Sequence, residues 1–176
     1  MKYVGLFIFI VSLKAVAAPQ PATSTSALTA PEQGLYLLDR GFSVKTSGTS
    51  WLPVPNHDSH LESVRFAEKG SGDKEASLTL RSDKLAKNVT LEMYTKKWLR
   101  DYASYGFEVL ASKNIQLNGN PALLVDMLSR SKGKQIRQVV LKKDSEVAIM
   151  TCIDDRETFR TSLLPCNQII KSFSWK

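Results

Sequence analysis

Four apolar segments separated by short polar turns make up residues 107–153, FEVLASKNIQLNGNPALLVDMLSRSKGKQIRQVVLKKDSEVAIMTCI. Asn118-Gly119 lies between the first two, and this dipeptide is the strongest short-range hairpin signal because both residues tolerate positive φ. Lys132-Gly133-Lys134 marks a second turn. Because consecutive hairpin strands pair antiparallel, the stretch predicts an antiparallel sheet. The predicted strands are Phe107–Leu117, Ala122–Ser129, Gln135–Lys143 and Glu146–Ile153.

A helix is predicted immediately before these strands. Thr90 is a suitable N-cap residue, and Gly106 stands where a left-handed residue would end the helix. Because aromatic residues at helical spacing usually pack in a core, we interpret its apolar stripe as core rather than as a ligand pocket. The stripe consists of Leu91, Tyr94, Trp98, Tyr102 and Tyr105.

Shorter patterns predict strands upstream and a second helix downstream. Residues 61–68 and 76–81 alternate apolar and polar side chains on either side of a turn at 69–73, which predicts a hairpin. After the last strand, Asp154 is predicted to cap a helix, with Glu157 three residues later completing a capping box. Pro165 lies inside this helix and is expected to kink or divide it. The apolar stripe of this helix is Phe159, Leu163, Cys166, Ile170 and Phe173.

The first 18 residues, MKYVGLFIFIVSLKAVAA, have the features of a signal peptide. Lys2 precedes an apolar stretch, and Ala15-Val16-Ala17 fits a signal-peptidase site, so cleavage is expected near Ala17 or Ala18. Residues 19–33 are rich in Pro, Ala, Ser and Thr and are predicted to be a flexible linker. Residues 34–176 are predicted to form a single domain, located in the bacterial periplasm or secreted.

The composition is that of an ordinary globular protein. The chain has 176 residues, 43% hydrophobic and 23% charged, which disfavours collagen, coiled coils and disordered tails. No apolar run reaches the roughly 18 residues that span a bilayer, so no transmembrane segment is expected in the mature form. Without the leader, 22 basic residues stand against 17 acidic ones, and the excess lies in residues 91–143.

Nine of the ten cations of that region are the candidate binding residues. They are Lys96, Lys97 and Arg100 on the first helix, and Arg130, Lys132, Lys134, Arg137, Lys142 and Lys143 around the 130–143 hairpin. A local basic excess attracts anionic surfaces and polymers. Because the chain is expected to be exported and shows no nucleic-acid module, the expected partner is an unknown protein, an anionic envelope component or a membrane surface. A solvated face that only aids solubility is the alternative.

Candidate catalytic chemistry is confined to His57-Asp58-Ser59-His60, which contains both histidines of the chain. These side chains could ligate a metal ion or serve a hydrolase. The segment follows Pro53 and Pro55 and is predicted to be a solvated loop, and the chain has no Gly-x-Ser-x-Gly motif. We therefore expect no catalytic residue, no metal and no cofactor. A hydrolase or metal-dependent enzyme using this loop, or a secreted inhibitor or effector, is the alternative function.

Three segments carry a family resemblance: Gly41-Phe42-Ser43-Val44 followed by Trp51, Asn118-Gly119 followed by Pro121-Ala122, and Ile169-Ile170-Lys171-Ser172-Phe173. In this order they resemble the opening strand, central hairpin and C-terminal helix of PsbP-like and DcrB-like domains. The resemblance covers residues 34–176 and implies an α+β fold, an α/β/α sandwich on a central antiparallel β-sheet. It also implies a non-enzymatic accessory or binding protein, although the chain lacks the acylated Cys of lipid-anchored members.

Cys152 and Cys166 are the only cysteines, and an exported chain usually pairs them. The spacing raises an objection. If a helix ran straight from Asp155, Cys166 would lie about 16 Å along its axis, whereas bonded cysteines have Cα atoms within about 7 Å. A Cys152–Cys166 disulfide is therefore expected only if the helix breaks near Pro165 or crosses the strand steeply.

Overall fold

The computed structural model describes residues 27–30, 35–38, 41–54, 63–68 and 76–176. These residues form two helices, α1 (Leu91–Ser104) and α2 (Phe159–Lys171). They also form the strands β1 (Ala27–Ala30), β2 (Leu35–Leu38), β3 (Phe42–Lys45), β4 (Trp51–Val54), β5 (Ser63–Glu68), β6 (Ser77–Lys84), β7 (Glu108–Leu117), β8 (Asn120–Ser129), β9 (Lys134–Lys143), β10 (Glu146–Asp155) and β11 (Ser174–Trp175).

Seven strands form the central sheet in the order β4-β5-β6-β10-β9-β8-β7, and all neighbours are antiparallel. The four strands predicted between residues 107 and 153 are confirmed as β7 to β10, with ends displaced by at most two residues. Strand β7 pairs only with β8 among the described strands and forms one edge of this sheet. A second sheet has the order β1-β2-β3-β11. The fold is therefore α+β and dominated by antiparallel sheet.

The turn between β7 and β8 also anchors the C-terminal end of α2. Asn118 and Gly119 have φ values of 50° and 78°, as the hairpin prediction requires. The side-chain amide of Asn118 donates hydrogen bonds to the carbonyls of Lys171 and Phe173, at 2.8 and 2.7 Å. This turn residue therefore holds the end of α2 against the end of the sheet where β8 begins.

Each face of the central sheet has its own apolar core, because successive side chains of a strand point to opposite faces. On one face, α2 and strand β3 pack on the sheet, and the buried residues include Leu80, Leu124, Val139, Met150, Phe42 and Ile169. On the other face, α1 packs against Leu123, Val125, Met127, Val140, Val147 and Ile149. The two helices therefore pack on alternate residues of the same strands.

Helix α1 begins and ends where the sequence predicts. Thr90 Oγ1 accepts a hydrogen bond from the Met93 amide at 3.2 Å, and Gly106 has a φ of 81°. The expectation that Tyr105 belongs to the apolar stripe is wrong, because its side chain is 66% exposed. Tyr105 is the C-cap residue, with ψ near 8°, so the helical phase no longer holds at that position.

The expected start of α2 at Asp154 is wrong. Strand β10 continues through Asp155, with Asp154 opposite Gln135 and Asp155 opposite Lys134. Helix α2 begins at Phe159 and continues through Pro165 without a break. A proline inside a helix removes one main-chain donor, so the rest of the helical hydrogen-bond ladder can remain in place.

Cys152 and Cys166 form a disulfide with Cα atoms 6.3 Å apart. The later start of α2 removes the geometric objection, because the helix runs back along β10. Three strand residues from Cys152 to Asp155 advance about 10 Å, and seven helical residues from Phe159 to Cys166 return about 10 Å. The two cysteines therefore meet without a break at Pro165.

The N-terminal predictions fall mainly outside the described residues. These include the signal peptide, its cleavage site, the turn at 69–73 and the His57-Asp58-Ser59-His60 segment. Strand β1 lies inside the stretch expected to be a linker and pairs antiparallel with β2, so regular structure begins before Gly34. Main-chain pairing needs no apolar periodicity, and composition alone therefore gave no sign of this strand. Neither helix in the described part of the chain is long and apolar enough to cross a membrane.

Candidate functional site

The hairpin cations chosen from the sequence are largely engaged by partners within the fold. Arg130 pairs with Glu108, Lys134 with Asp155, and Arg137 binds both carboxylate oxygens of Asp126, at distances of 2.7 to 2.8 Å. Lys132 lies over the ring of Phe107, with 5.6 Å to its centroid, and Lys143 donates to the main-chain carbonyl of Lys176. Local neutralisation weakens the attraction that these side chains exert on a distant anion.

The same cations are also dispersed over the sheet. Lys142 and Lys143 point to opposite faces, because they are adjacent in β9. Lys134 and Lys142 stand at opposite ends of that strand, about 26 Å apart at the usual rise per residue. The 130–143 hairpin therefore does not present one continuous cationic surface.

Lys96, Lys97 and Arg100 are together on the exposed side of α1, and we name them the α1 cation cluster. They occupy neighbouring positions because residues three and four apart lie on the same face of a helix. All three side chains are exposed, and none forms an ion pair with an acid of the described chain. The structure thus leaves this part of the predicted cationic set available to solvent.

A groove runs between helix α1 and the edge strand β7, and we name it the α1–β7 groove. Its volume is about 550 Å³. Helix α1 provides one wall with Glu92, Lys96, Arg100 and Ala103, and β7 provides the other with Ser112, Lys113 and Asn114. Leu99, Leu123 and Thr95 complete the lining. The groove therefore combines an apolar floor with charged groups at its rim.

Thr95 is the unusual member of this lining. It is 2% exposed, and its Oγ1 atom has no hydrogen-bond partner among the described residues. A buried hydroxyl without a partner costs free energy, so such groups are rare in folded proteins. The sequence reasoning missed Thr95 and the groove, since the position of β7 at the sheet edge is a property of the assembled sheet. The sign of the groove in the sequence was the helical spacing of Glu92, Lys96 and Ala103, which places these residues on one side of α1.

The opposite flank of α1 carries a network of tyrosine hydrogen bonds. Tyr94 donates to Asp83 at 2.8 Å, and the amide of buried Gln138 donates to Tyr102 and Thr151. Burial, with a contribution from the Asp83 hydrogen bond, raises the pKa of Tyr94 to about 12. Burial likewise raises the pKa of Tyr102, against the opposing effects of Gln138 and Arg81. These bonds fasten α1 to β6 and β9, and the bond from Gln138 to Thr151 joins β9 to β10.

Metal chemistry finds no support in the described part of the chain. No group of three or more His, Cys, Asp or Glu side chains there is arranged to hold an ion. The two cysteines are joined in the disulfide, and the histidine segment lies outside the described residues.

Comparisons with known proteins place the fold. No family model and no curated protein matches the sequence. Among solved structures, PA94 from Pseudomonas aeruginosa, a protein of unknown function, is similar with a TM-score of 0.58 and 19% identity, over 82% of this chain and 97% of its own. The solution structure of CyanoP, the PsbP protein of Synechocystis, is similar with a TM-score of 0.56 and 11% identity, over 91% of this chain and 99% of its own. These likenesses show that the chain has a PsbP-like fold.

Proposed function

We infer that the protein is an exported, non-enzymatic accessory module that attaches to an anionic component of the bacterial cell envelope through the α1 cation cluster. The site would work by charge attraction, with Lys96, Lys97 and Arg100 facing the anionic surface. The proposed architecture behind it is a three-layer sandwich, with α1 and α2 on opposite faces of the central sheet. The two helices pack on alternate residues of the same strands, which supports that arrangement.

The proposed export rests on two features. A structural disulfide persists in oxidising compartments such as the periplasm and is rare in the cytosol, and Cys152 and Cys166 form one. Residues 1–18 have the features of an export signal, with an apolar stretch after Lys2 and a small-residue cleavage pattern. CyanoP, a structural neighbour, is a PsbP protein, which suits an accessory role.

The observation that carries the proposed site is the difference between two groups of cations. The hairpin group is paired within the fold or dispersed, whereas the α1 cation cluster is compact, exposed and without acidic partners in the described chain. Unpaired charges on one helix face add their potentials at a facing surface. Among the nine candidate cations, the cluster is therefore the compact group of exposed charges that could attract an anion.

The test is attachment of the mature protein to vesicles of anionic and of neutral lipid. The triple variant Lys96→Gln, Lys97→Gln, Arg100→Gln should lose at least tenfold in affinity for anionic vesicles, since each basic residue near such a surface contributes about 1 kcal/mol. The loss should be largest at low salt, because salt screens exposed charges beyond about 10 Å.

The control is a second triple variant with the same change in net charge. Lys45, Lys87 and Lys171 are exposed cations outside α1, and their replacement by Gln should leave attachment nearly unchanged. Equal losses in the two triple variants would mean that net charge alone governs attachment. Full attachment of the α1 variant would overturn the proposed site.

A further inference from the structure

We propose that the α1–β7 groove binds a free, single-chain carboxylate, an amphipathic anion with an apolar tail. The inference goes beyond the proposed function, because the ligand is a soluble small molecule rather than an envelope surface. It rests on the shape of the groove, its charges and the state of Thr95.

The shape and the floor suit an apolar tail. A volume of about 550 Å³ lies within the range of about 300–1,000 Å³ that small-molecule sites occupy. Leu99 and Leu123 provide apolar surface on its floor, and Ala103 adds a small side chain on the helical wall. The small side chain leaves the space between helix and strand open. An alkyl chain lying there would cover the apolar surface of Leu99, Ala103 and Leu123.

The charges at the rim suit a single negative group. Lys96, Arg100 and Lys113 line the groove against one carboxylate, Glu92, which leaves a net charge of +2. A guanidinium such as that of Arg100 can hold a carboxylate through two parallel hydrogen bonds. A neutral ligand would leave this excess without a partner, so the rim favours an anion.

Thr95 supplies the observation that points independently to a ligand. Thr95 lines the groove, and its buried hydroxyl has no hydrogen-bond partner among the described residues. Because this atom is enclosed, the side chains around it must shift before a ligand oxygen can reach it. Such a contact would complete its hydrogen bonding and remove the cost of burying an unpartnered hydroxyl. A ligand with oxygen atoms at one end and an alkyl chain at the other matches the lining.

The experiment titrates the mature protein with decanoate, below its micelle concentration, and follows main-chain amide resonances by NMR. We expect saturable shifts confined to α1 and β7. Decanol, which has the same tail without the charge, should bind at least about tenfold more weakly, the factor that corresponds to about 1.4 kcal/mol. Thr95→Val should weaken decanoate binding several-fold while the melting temperature stays the same or rises.

Blocking variants make the test specific to the groove. Ala103→Phe fills it from the helix, and Ser112→Phe fills it from β7; both positions are exposed, so the two variants are expected to fold. Either should abolish decanoate binding. Met93→Phe is the control, because Met93 is an exposed α1 residue outside the groove lining.

The two proposals fail in distinguishable ways. Ala103→Phe keeps every cation, so it should still attach to anionic vesicles while it no longer binds decanoate. Decanoate binding that survives in both blocking variants, equal binding of decanol, or shifts spread away from α1 and β7 would each overturn the groove inference. Loss of vesicle attachment in the α1 charge variant bears only on the proposed function.

Discussion

The side chains of helix α1 point in three different directions. Tyr94, Trp98 and Tyr102 pack on the sheet, Thr95 faces the groove, and Lys97 faces solvent. The 3.6-residue period separates these directions, and the core stripe could therefore be predicted from the sequence. The period could not reveal that the Thr95 hydroxyl lacks a partner, because that depends on which groups other elements bring near it.

Tyr94 gives the protein a predictable response to alkaline pH. Its pKa is raised from 10.0 to about 12 by burial and by Asp83, so the folded state holds the phenolic proton more tightly than the unfolded chain does. The resulting stabilisation is fully present below pH 10 and is lost as the pH rises towards 12. We therefore expect the free energy of unfolding, measured in urea, to fall across this interval.

The variant Tyr94→Phe should reduce the steepness of this alkaline loss. Tyr105→Phe is the matched control, since the Tyr105 ring is 66% exposed and makes no contact with the tyrosine network. An alkaline loss as steep in Tyr94→Phe as in the wild type would show that Tyr94 does not hold its proton in this way.

The partners of the hairpin cations could not be predicted from the sequence. Arg137 binds Asp126 because the register of β8 and β9 sets the two residues directly opposite each other. The charges were visible in the sequence, but their partners depend on the register of paired strands. A shift of one residue would have placed Asp126 opposite another side chain.

Whole elements were predicted best where local signals were strongest. Strands β7 to β10 follow from alternation and turn residues, and α1 follows from its cap and stripe. The sequence predicts too early a start for α2, because Asp154 is a residue type that caps helices but pairs with Gln135 near the end of β10. Pairing across the sheet outweighed the local capping pattern at that position.

The disulfide joins β10 to α2 and stabilises their packing. The bond closes a loop with a sequence separation of 14 residues. In the chain-entropy model, closure of a loop of about 15 residues stabilises the fold by about 3 kcal/mol. The double variant Cys152→Ala, Cys166→Ala should lose about that much free energy of unfolding in urea titrations.

The reduced wild-type protein is the control for that loss. It keeps both side chains but not the bond, so its stability should lie close to that of the double variant. If reduction leaves the free energy of unfolding unchanged, the bond contributes nothing to the stability of the packed α2–β10 unit.

For the whole molecule, the fold could be predicted from the sequence, whereas the proposed site could be predicted only in part. The motifs at Trp51, Asn118 and Phe173 are spaced along the entire domain, and the PsbP-like fold they suggested agrees with the similarity to CyanoP. The proposed site depends on which cations stay unpaired after folding, and their pairing is determined by neighbours in three dimensions. Of nine candidate cations, the structure leaves the three on α1 together and exposed.

Retention of the mature protein on native bacterial envelopes, measured over a series of salt concentrations, tests envelope attachment through α1 most directly. The account predicts strong retention at low salt, a steep fall with added salt, and a much weaker salt dependence in the Lys96→Gln, Lys97→Gln, Arg100→Gln variant. The Lys45→Gln, Lys87→Gln, Lys171→Gln variant should behave like the wild type. Retention that is independent of salt and equal in all three proteins would contradict it.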